Sequence, residues 1–331
     1  MKRVGNLISR VSDMDNLILA FHKAAKGKWD KEAVLNYADN LEDNLYRLSL
    51  QISSGDVQVG NYTYFKIYDP KLRTICAASF PERVLHHALM NVCHSVFERH
   101  FIYTTYATRP GKGVYAALNR AFDGINTCEY VGKFDVRHYF DTIDHQLLKE
   151  KIARLFKDKV LLKIFFAIID SYSVADGKGL PIGNLTSQYF ANYYLSSFDH
   201  WCKEVLKVRE YVRYMDDFLL FSNDKHRLGQ YVEAVNDYMK CELKLELKVA
   251  VLSDKGQGIS FLGYHLSRHK ILLNSRSKKR LKRKMSLYSQ LLECSRWGER
   301  RYIEHVTPLL SFSRYAYSRG LRKEIVWRQQ M

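Results

Sequence analysis

The chain has 331 residues, 47% hydrophobic and 26% charged, a globular composition that excludes a disordered chain and, at roughly 150 residues per domain, suggests two domains. Its 52 Lys and Arg against 35 Asp and Glu leave a net charge of +17, an excess that points to a polyanionic partner, nucleic acid first. The sequence holds no apolar run of about 18 residues, so no membrane span is expected. The N-terminus leads into polar residues rather than an apolar signal core. Cys76, Cys93, Cys128, Cys202, Cys241 and Cys294 are scattered, without the spacing of a metal or redox motif. The expected location is the cytoplasm.

Residues 15–53 are helical in pattern and mostly polar. Residues 61–68 read as a strand, Asp69-Pro70-Lys71-Leu72 as a turn, and 73–76 as the start of a second strand. Pro81 opens a helix with Val84, Leu85, Ala88, Leu89, Val92 and Val96 on one face. Arg109-Pro110-Gly111-Lys112-Gly113 is a loop, and residues 131–136 form a strand. Asp144 caps a helix that buries Leu147, Leu148, Ile152 and Leu155. Residues 177–183 make a glycine-rich loop before a helix from 185 to about 205.

Residues 211–221 read as two short strands around Met215-Asp216-Asp217. Leu243, Leu245, Leu247, Val249 and Val251 alternate with Lys244, Glu246 and Lys248, which predicts a half-buried strand. Residues 259–266 predict another. Beyond about Arg268 the chain turns basic, with six cations in residues 278–284. From Arg268 to Arg301 there are 12 Lys and Arg against 2 Asp and Glu, which places a boundary near residue 266.

The chemistry is carried by acids where acids are costly. Asp216 and Asp217 are flanked on both sides by apolar residues, from Tyr211 to Phe221. A buried carboxylate without a partner is strongly unfavourable, so the pair lies in an exposed hairpin turn or binds cations. A second acid, Asp135, lies in the apolar strand Val131-Gly132-Lys133-Phe134-Asp135-Val136. A strand acid and a turn pair can converge on Mg²⁺, which prefers oxygen ligands. Two such ions suit in-line displacement at a phosphate. A polycation with such a site reads as a polymerase or a nuclease.

From about residue 60 to the Phe261-Leu262-Gly263-Tyr264 strand, the chain resembles a reverse transcriptase. Tyr214-Met215-Asp216-Asp217 matches the family's catalytic hairpin, and Lys133-Phe134-Asp135-Val136 its first metal strand. Asp69-Pro70-Lys71-Leu72-Arg73 resembles the fingers hairpin over the incoming triphosphate. The motifs follow the family's order and approximate spacing. Within Pro181-Ile182-Gly183-Asn184-Leu185-Thr186-Ser187-Gln188, most members carry Gln at the position of Ile182 and Ser-Pro at Ser187-Gln188. The aliphatic residue and Ser-Gln look like the enzymes of diversity-generating retroelements. Those enzymes copy a template-repeat RNA with errors at adenines, and the cDNA replaces a variable repeat in a target gene.

The resemblance implies an α+β right-hand polymerase, with an antiparallel ferredoxin-like palm sheet, fingers and a helical thumb. It divides the chain into an N-terminal helical segment (1–60), fingers (61–130), the first metal strand of the palm (131–149), fingers and palm helices (150–178), palm (179–265) and basic thumb (266–331). The implied metal set is Asp135, Val136, Asp216 and Asp217, holding two Mg²⁺ ions with Mn²⁺ as an alternative. Asp135 and Asp216 would bridge both ions, with Asp217 the weaker partner. Lys71 and Arg73 would hold the triphosphate, with Lys66 an alternative to Lys71. Phe140 would be the gate against a ribose 2′-hydroxyl. Ile182 and Gly183 would border the incoming nucleotide.

Arg109, Lys112 and Gln188 would approach the template, although a solvated loop explains Arg109 and Lys112 equally well. Lys248 would protonate the leaving pyrophosphate, or be a solvent-face strand lysine. Phe261, Leu262, Gly263 and Tyr264 would support the primer end. Lys278, Lys279, Arg280, Lys282, Arg283 and Lys284 would track duplex phosphates from a thumb helix. His86, His87, His138 and His145 read as structural. The implied partners are template RNA, cDNA, dNTPs and a separate ring-forming accessory variability determinant. A retron, defence-system or minimal group II intron enzyme shares the palm chemistry, and an RNA-binding scaffold is the non-enzyme alternative.

Overall fold

A computed structural model describes residues 2–68 and 72–327. The expected turn at Asp69-Pro70-Lys71, and with it the role given to Lys71, falls outside them. The chain divides into two units. The first holds the chain up to Tyr103 together with Val136–Val205 and Asn236–Leu247, and the second holds Thr104–Asp135, Leu206–Val235 and the chain from Lys248 onward.

The first unit is mostly helical. Helices Met14–Ala25, Glu32–Ala38 and Leu41–Ser54 occupy the polar N-terminal stretch. Asp13 caps the first of them, its side chain accepting from the Asp15 and Asn16 amides. Helix Phe80–Glu98 opens with Pro81 in its first turn. It buries the expected apolar stripe and also Met90, Cys93 and Phe97, so it is a central helix rather than a surface one. Phe97 packs on Phe156 and Tyr193, with ring centroids 5.6 and 5.5 Å apart.

The expected hairpin forms. Strand β1 (Tyr62–Tyr68) pairs antiparallel with β2 (Leu72–Ala78), in register from Tyr62 opposite Ala78 to Tyr68 opposite Leu72. Asp144 caps helix His145–Ala153 by accepting from the Leu147 amide at 2.9 Å, as its sequence suggests. The single helix expected over 185–205 is instead two, Leu185–Tyr194 and Ser196–Glu204, broken at Leu195.

The second unit is built on a four-stranded antiparallel sheet. Its strands are β3 (Tyr130–Asp135), β4 (Glu210–Tyr214), β5 (Asp217–Ser222) and β6 (Val251–Asp254), in the order β4-β5-β3-β6. Helix Val114–Thr127 shares a core with it through Ala117, Leu118, Ala121, Val131, Leu219 and Phe221. A second sheet contains β7 (Ile259–Phe261), β8 (Tyr264–Ser267) and β9 (Lys270–Leu273). Helices Ser275–Glu293, Glu299–Arg314 and Arg319–Trp327 follow. The buried Tyr264 ties sheet to helices, its hydroxyl donating to the Phe312 carbonyl at 2.8 Å.

Two expected strands are corrected. Helix Lys225–Leu243 runs on through Leu243. It ends with Lys244 in the left-handed region, at φ 53°, and with the Leu245 amide bonded to the Met239 carbonyl. Leu243 and Leu245 are buried but lie in a helix end and a loop, and pairing over this stretch is confined to a bridge from Leu247 to Val136 until β6 begins at Val251. The strand expected over 259–266 is a hairpin. Leu262 and Gly263, at φ 48° and 88°, form its two-residue turn.

The cysteines are free thiols, with Cys241 and Cys294 exposed and the other four buried. Among the described residues no helix is long and apolar enough to cross a membrane.

Candidate active site

Side chains alternate across a sheet, and residues directly opposite one another share a face. Asp135 on β3 is opposite Asp217 on β5, Lys133 is opposite Leu219, and Val131 is opposite Phe221. Val131, Leu219 and Phe221 enter the core with helix Val114–Thr127. Lys133, Asp135 and Asp217 therefore stand at the far end of that same face. Asp216 is in the two-residue turn that joins β4 to β5, where Tyr214 is opposite Asp217. Met215, the first turn residue, sits at φ 56°, a left-handed conformation that costs a non-glycine residue about 1–3 kcal/mol. Arg213, fully buried, donates from Nη1 to the Met215 carbonyl at 2.9 Å and braces the turn from within the sheet.

Two carboxylates opposite each other on one face repel. Lysines offset this repulsion. Lys133 Nζ lies 3.2 Å from Asp217 Oδ2, and Lys248 Nζ bonds to Asp135 Oδ1. The Lys248 backbone amide also donates to the Asp135 carbonyl at 2.9 Å, which fixes the lysine alongside β3. Asp217 Oδ1 is sealed from solvent without a hydrogen-bond partner. Burial, reinforced by Asp135 and Asp216 against the pull of Lys133, pushes the Asp217 carboxyl up to about 7. Lys133, Asp135 and Lys248 border a cleft of about 500 Å³ in this unit.

Among the described residues no group of three or more His, Cys, Asp or Glu is already gathered as a metal cage. The donor set nevertheless fits a hard divalent cation. Its donors are carboxylate oxygens, one of them is buried and unsatisfied, and neighbouring acids disfavour its charge in the absence of more positive charge. Val136, placed in the metal set by sequence, has a buried side chain.

The other expected residues are distributed as follows. In the first unit, the Ile182 carbonyl accepts from the Cys76 amide at 2.8 Å. Asn184 accepts from the Ala78 amide and donates to the Cys76 carbonyl. The 180–184 loop is thereby pinned along β2. Gly183, at φ 122°, allows this approach, because a Cβ there would meet Ile75 Cγ2 at 2.7 Å. The Leu180 amide bonds to the Phe140 carbonyl at 2.7 Å, so Phe140 and Ile182 are held in one network. Phe140 is half-buried, and Arg73 is exposed on β2. Gln188 is exposed at the rim of a cavity of about 420 Å³ that Lys23, Lys26, Lys28, Arg83 and His87 also line. Among the described residues none of these four cations has a carboxylate partner.

In the second unit, Arg109 folds back on its own loop, donating to the Thr105 carbonyl and hydroxyl at 2.9 and 2.8 Å. Lys112 lies over the Tyr106 ring. Phe261 and Tyr264 are buried and flank the Leu262-Gly263 turn. The basic run lies on helix Ser275–Glu293, with Leu281 and Met285 buried beneath and Lys278, Lys279, Lys282 and Arg283 exposed. Arg280 and Lys284 are half-buried, and Lys282 pairs with Glu324 at 2.8 Å.

Lys133, Arg213 and the Lys23–Lys26–Lys28 cluster are given no role by the sequence motifs described above. Alternation from Asp135 back to Lys133 was a usable signal for the first, and an arginine inside an apolar strand was one for the second.

This arrangement of antiparallel sheet and helices is that of the right-hand polymerase fold. The structure is similar to that of apo telomerase from Candida Tropicalis, with a TM-score of 0.52 at 13% identity over 77% of this chain and 57% of that one. The reverse transcriptase (RNA-dependent DNA polymerase) family matches residues 68–266, and the chain belongs to that family. Its enzyme class is RNA-directed DNA polymerase. Protein YkfC of Escherichia coli (strain K12) is 25% identical over 276 residues, 67% of this chain and 72% of that protein. A Saccharomyces cerevisiae protein named for COX1/OXI3 intron 1 is 20% identical over 216 residues, 61% of this chain but 26% of that protein.

Proposed function

We propose that the chain copies an RNA template into DNA by two-metal nucleotidyl transfer. The observation that carries this reading is the in-register facing of Asp135 and Asp217, with Asp216 on the adjoining turn. The four-stranded sheet is the palm, the β1–β2 hairpin belongs to the fingers, and the three C-terminal helices form the thumb. Asp135, Asp216 and Asp217 would hold the ions; Val136, whose alkyl side chain is no ligand, would join them only through its main-chain carbonyl. Bound there, Mg²⁺ or Mn²⁺ supplies activation of the primer 3′-hydroxyl and neutralisation of charge on the α-phosphate and pyrophosphate. Arg73 and Lys71 hold the triphosphate. Phe140 excludes the ribose 2′-hydroxyl by volume. Lys248, once freed from Asp135, can donate a proton to the pyrophosphate.

The finer reading is that the enzyme serves a diversity-generating retroelement with a separate accessory protein. Ile182 and Ser187-Gln188 support it. An aliphatic Ile182 can only pack, where a Gln could hydrogen-bond. One lost hydrogen bond of about 1.4 kcal/mol of discrimination is tenfold in error rate. The test is to sequence cDNA made from one defined RNA by wild type and by Ile182→Gln. Frequent substitutions opposite template adenines, reduced in the variant, are expected. Accurate copying by the wild type sinks the retroelement assignment and leaves the reverse transcriptase reading standing. The second reading, an intron-type enzyme, is favoured by the relative named for an intron.

A further inference from the structure

Lys133 precedes Asp135 by two residues on β3, so its side chain leaves the same face of the sheet as the acids. Its ammonium meets two fixed partners, Asp217 Oδ2 at 3.2 Å and the Ser260 carbonyl at 3.0 Å. Ser260 is the middle residue of β7, and Phe261 after it leads into the Leu262-Gly263 turn. One side chain thus ties an acid of the candidate metal site to the strand bearing that turn. Its side chain is 22% exposed and that of Asp217 20%, so solvent screens the pair only in part.

A divalent cation arriving at Asp217 competes with this ammonium for Oδ2. We propose that Lys133 is a positioning residue that holds Asp217 to strand β7 in the metal-free protein and yields Oδ2 when the cation enters. The proposal rests on the reading of Asp135, Asp216 and Asp217 as metal ligands. Its two consequences have opposite signs. Without the ammonium the cation loses a competitor and binds more tightly. Without the tie, β7 and the turn after it, which the sequence resemblance reads as the primer support, are held less well and turnover falls.

The test uses the full chain with Lys133→Met, which keeps an unbranched stem without charge, and Lys133→Arg, which keeps the charge. Affinity for Mn²⁺ is read from the spin-resonance signal of the free ion, without nucleic acid or dNTPs. Extension of a primer is followed at saturating Mg²⁺. Lys133→Met should bind Mn²⁺ roughly three- to tenfold more tightly. It should also extend more slowly through kcat, with the KM for dNTPs little changed, and Lys133→Arg should restore extension. General damage would weaken both properties, and a solvated bystander would change neither. If Lys133→Met does not fold, Lys133→Gln removes the charge, can still donate a hydrogen bond, and carries the same expectation for Mn²⁺. Wild-type protein that binds no Mn²⁺, or still binds it when Asp135→Asn and Asp216→Asn are combined, overturns the metal-site reading itself. Wild-type binding that the charge-removing variant leaves unchanged or weakens overturns the role of Lys133 alone.

Discussion

The sheet around Asp135 and the hairpin around Arg73 solve placement in different ways. In the sheet, the acids come from distant parts of the chain, and register alone puts Asp135 opposite Asp217. In the hairpin, β2 is fixed at its base by a loop, through the Ile182 carbonyl and the Asn184 side chain, while its outer residues Leu72 and Arg73 are exposed. Register between strands cannot slip by one residue without turning every side chain over. β2 is held in register too, by β1, but its outer end carries its side chains into solvent. Placement within a sheet suits groups that must meet a charge at fixed distance, and an exposed strand end suits groups that meet a substrate arriving from solvent.

The sharpest way to break this contrast is at the sheet. Asp216→Asn removes one proposed ligand without changing the side chain's size. It should lower primer extension by at least about a thousandfold, on the scale of losing transition-state charge stabilisation. RNA binding, which the basic C-terminal helix is expected to carry independently of the metals, should persist in a parallel filter assay. Near-normal extension would remove the turn from the chemistry.

Phe140→Ala probes the first unit, where selection by volume rather than charge is proposed. Extension with ribonucleotides alone should rise by roughly ten- to a hundredfold, the range that pocket volume can control. Unchanged sugar selectivity with retained activity would make Phe140 a packing residue.

The two basic surfaces can then be compared by charge reversal. Replacing Lys278, Lys279 and Arg283 with Glu should flatten the dependence of log affinity on log salt by roughly 0.7–0.9 per lost phosphate contact. Replacing Lys26 and Lys28 in the cavity of the first unit should do the same only if RNA runs there. A slope that neither set alters would assign both to solvated faces.

The smallest effect concerns His87. Burial first, then Lys23, His86 and Lys28, hold it down to about 4 from an ordinary 6.5. The folded protein therefore binds this proton less readily than the unfolded chain. The stability involved is complete above pH 6.5 and is lost as pH falls toward 4. Urea midpoints measured from pH 7 down to 4 should decline less steeply in His87→Gln. Parallel curves for both proteins would show that His87 is not responsible.

Strong periodicity made β3, the hairpin at Tyr62–Ala78 and helix Phe80–Glu98 legible in the sequence. The acids were legible because charge inside an apolar strand demands an explanation. Partnerships fixed by register were not: the Lys133–Asp217 and Lys248–Asp135 pairs appear only once β3, β5 and the chain after Leu247 are aligned. The hairpin turn at Leu262-Gly263 was hidden because Leu occupies a left-handed position where Asn or Asp is usual. The break at Leu195 carries neither glycine nor proline. The alternation from Leu243 to Val251 was real as far as burial at Leu243 and Leu245, but apolar residues two apart also occur where a helix ends and turns inward.

The chain order of the palm sheet has a consequence for biosynthesis. β3 is an interior strand, yet both strands that flank it, β5 and β6, are translated long after it. While the ribosome works toward Ser222, Val131 and Phe134 belong to a strand with two unsatisfied edges. Such long-range pairing is slow to form and leaves sticky edges exposed meanwhile. The β4–β5 hairpin, whose partners are adjacent in sequence, can close as soon as it emerges and offer β3 its first edge. A nascent chain halted before Ser222 would therefore lack that template and be prone to aggregation or proteolysis.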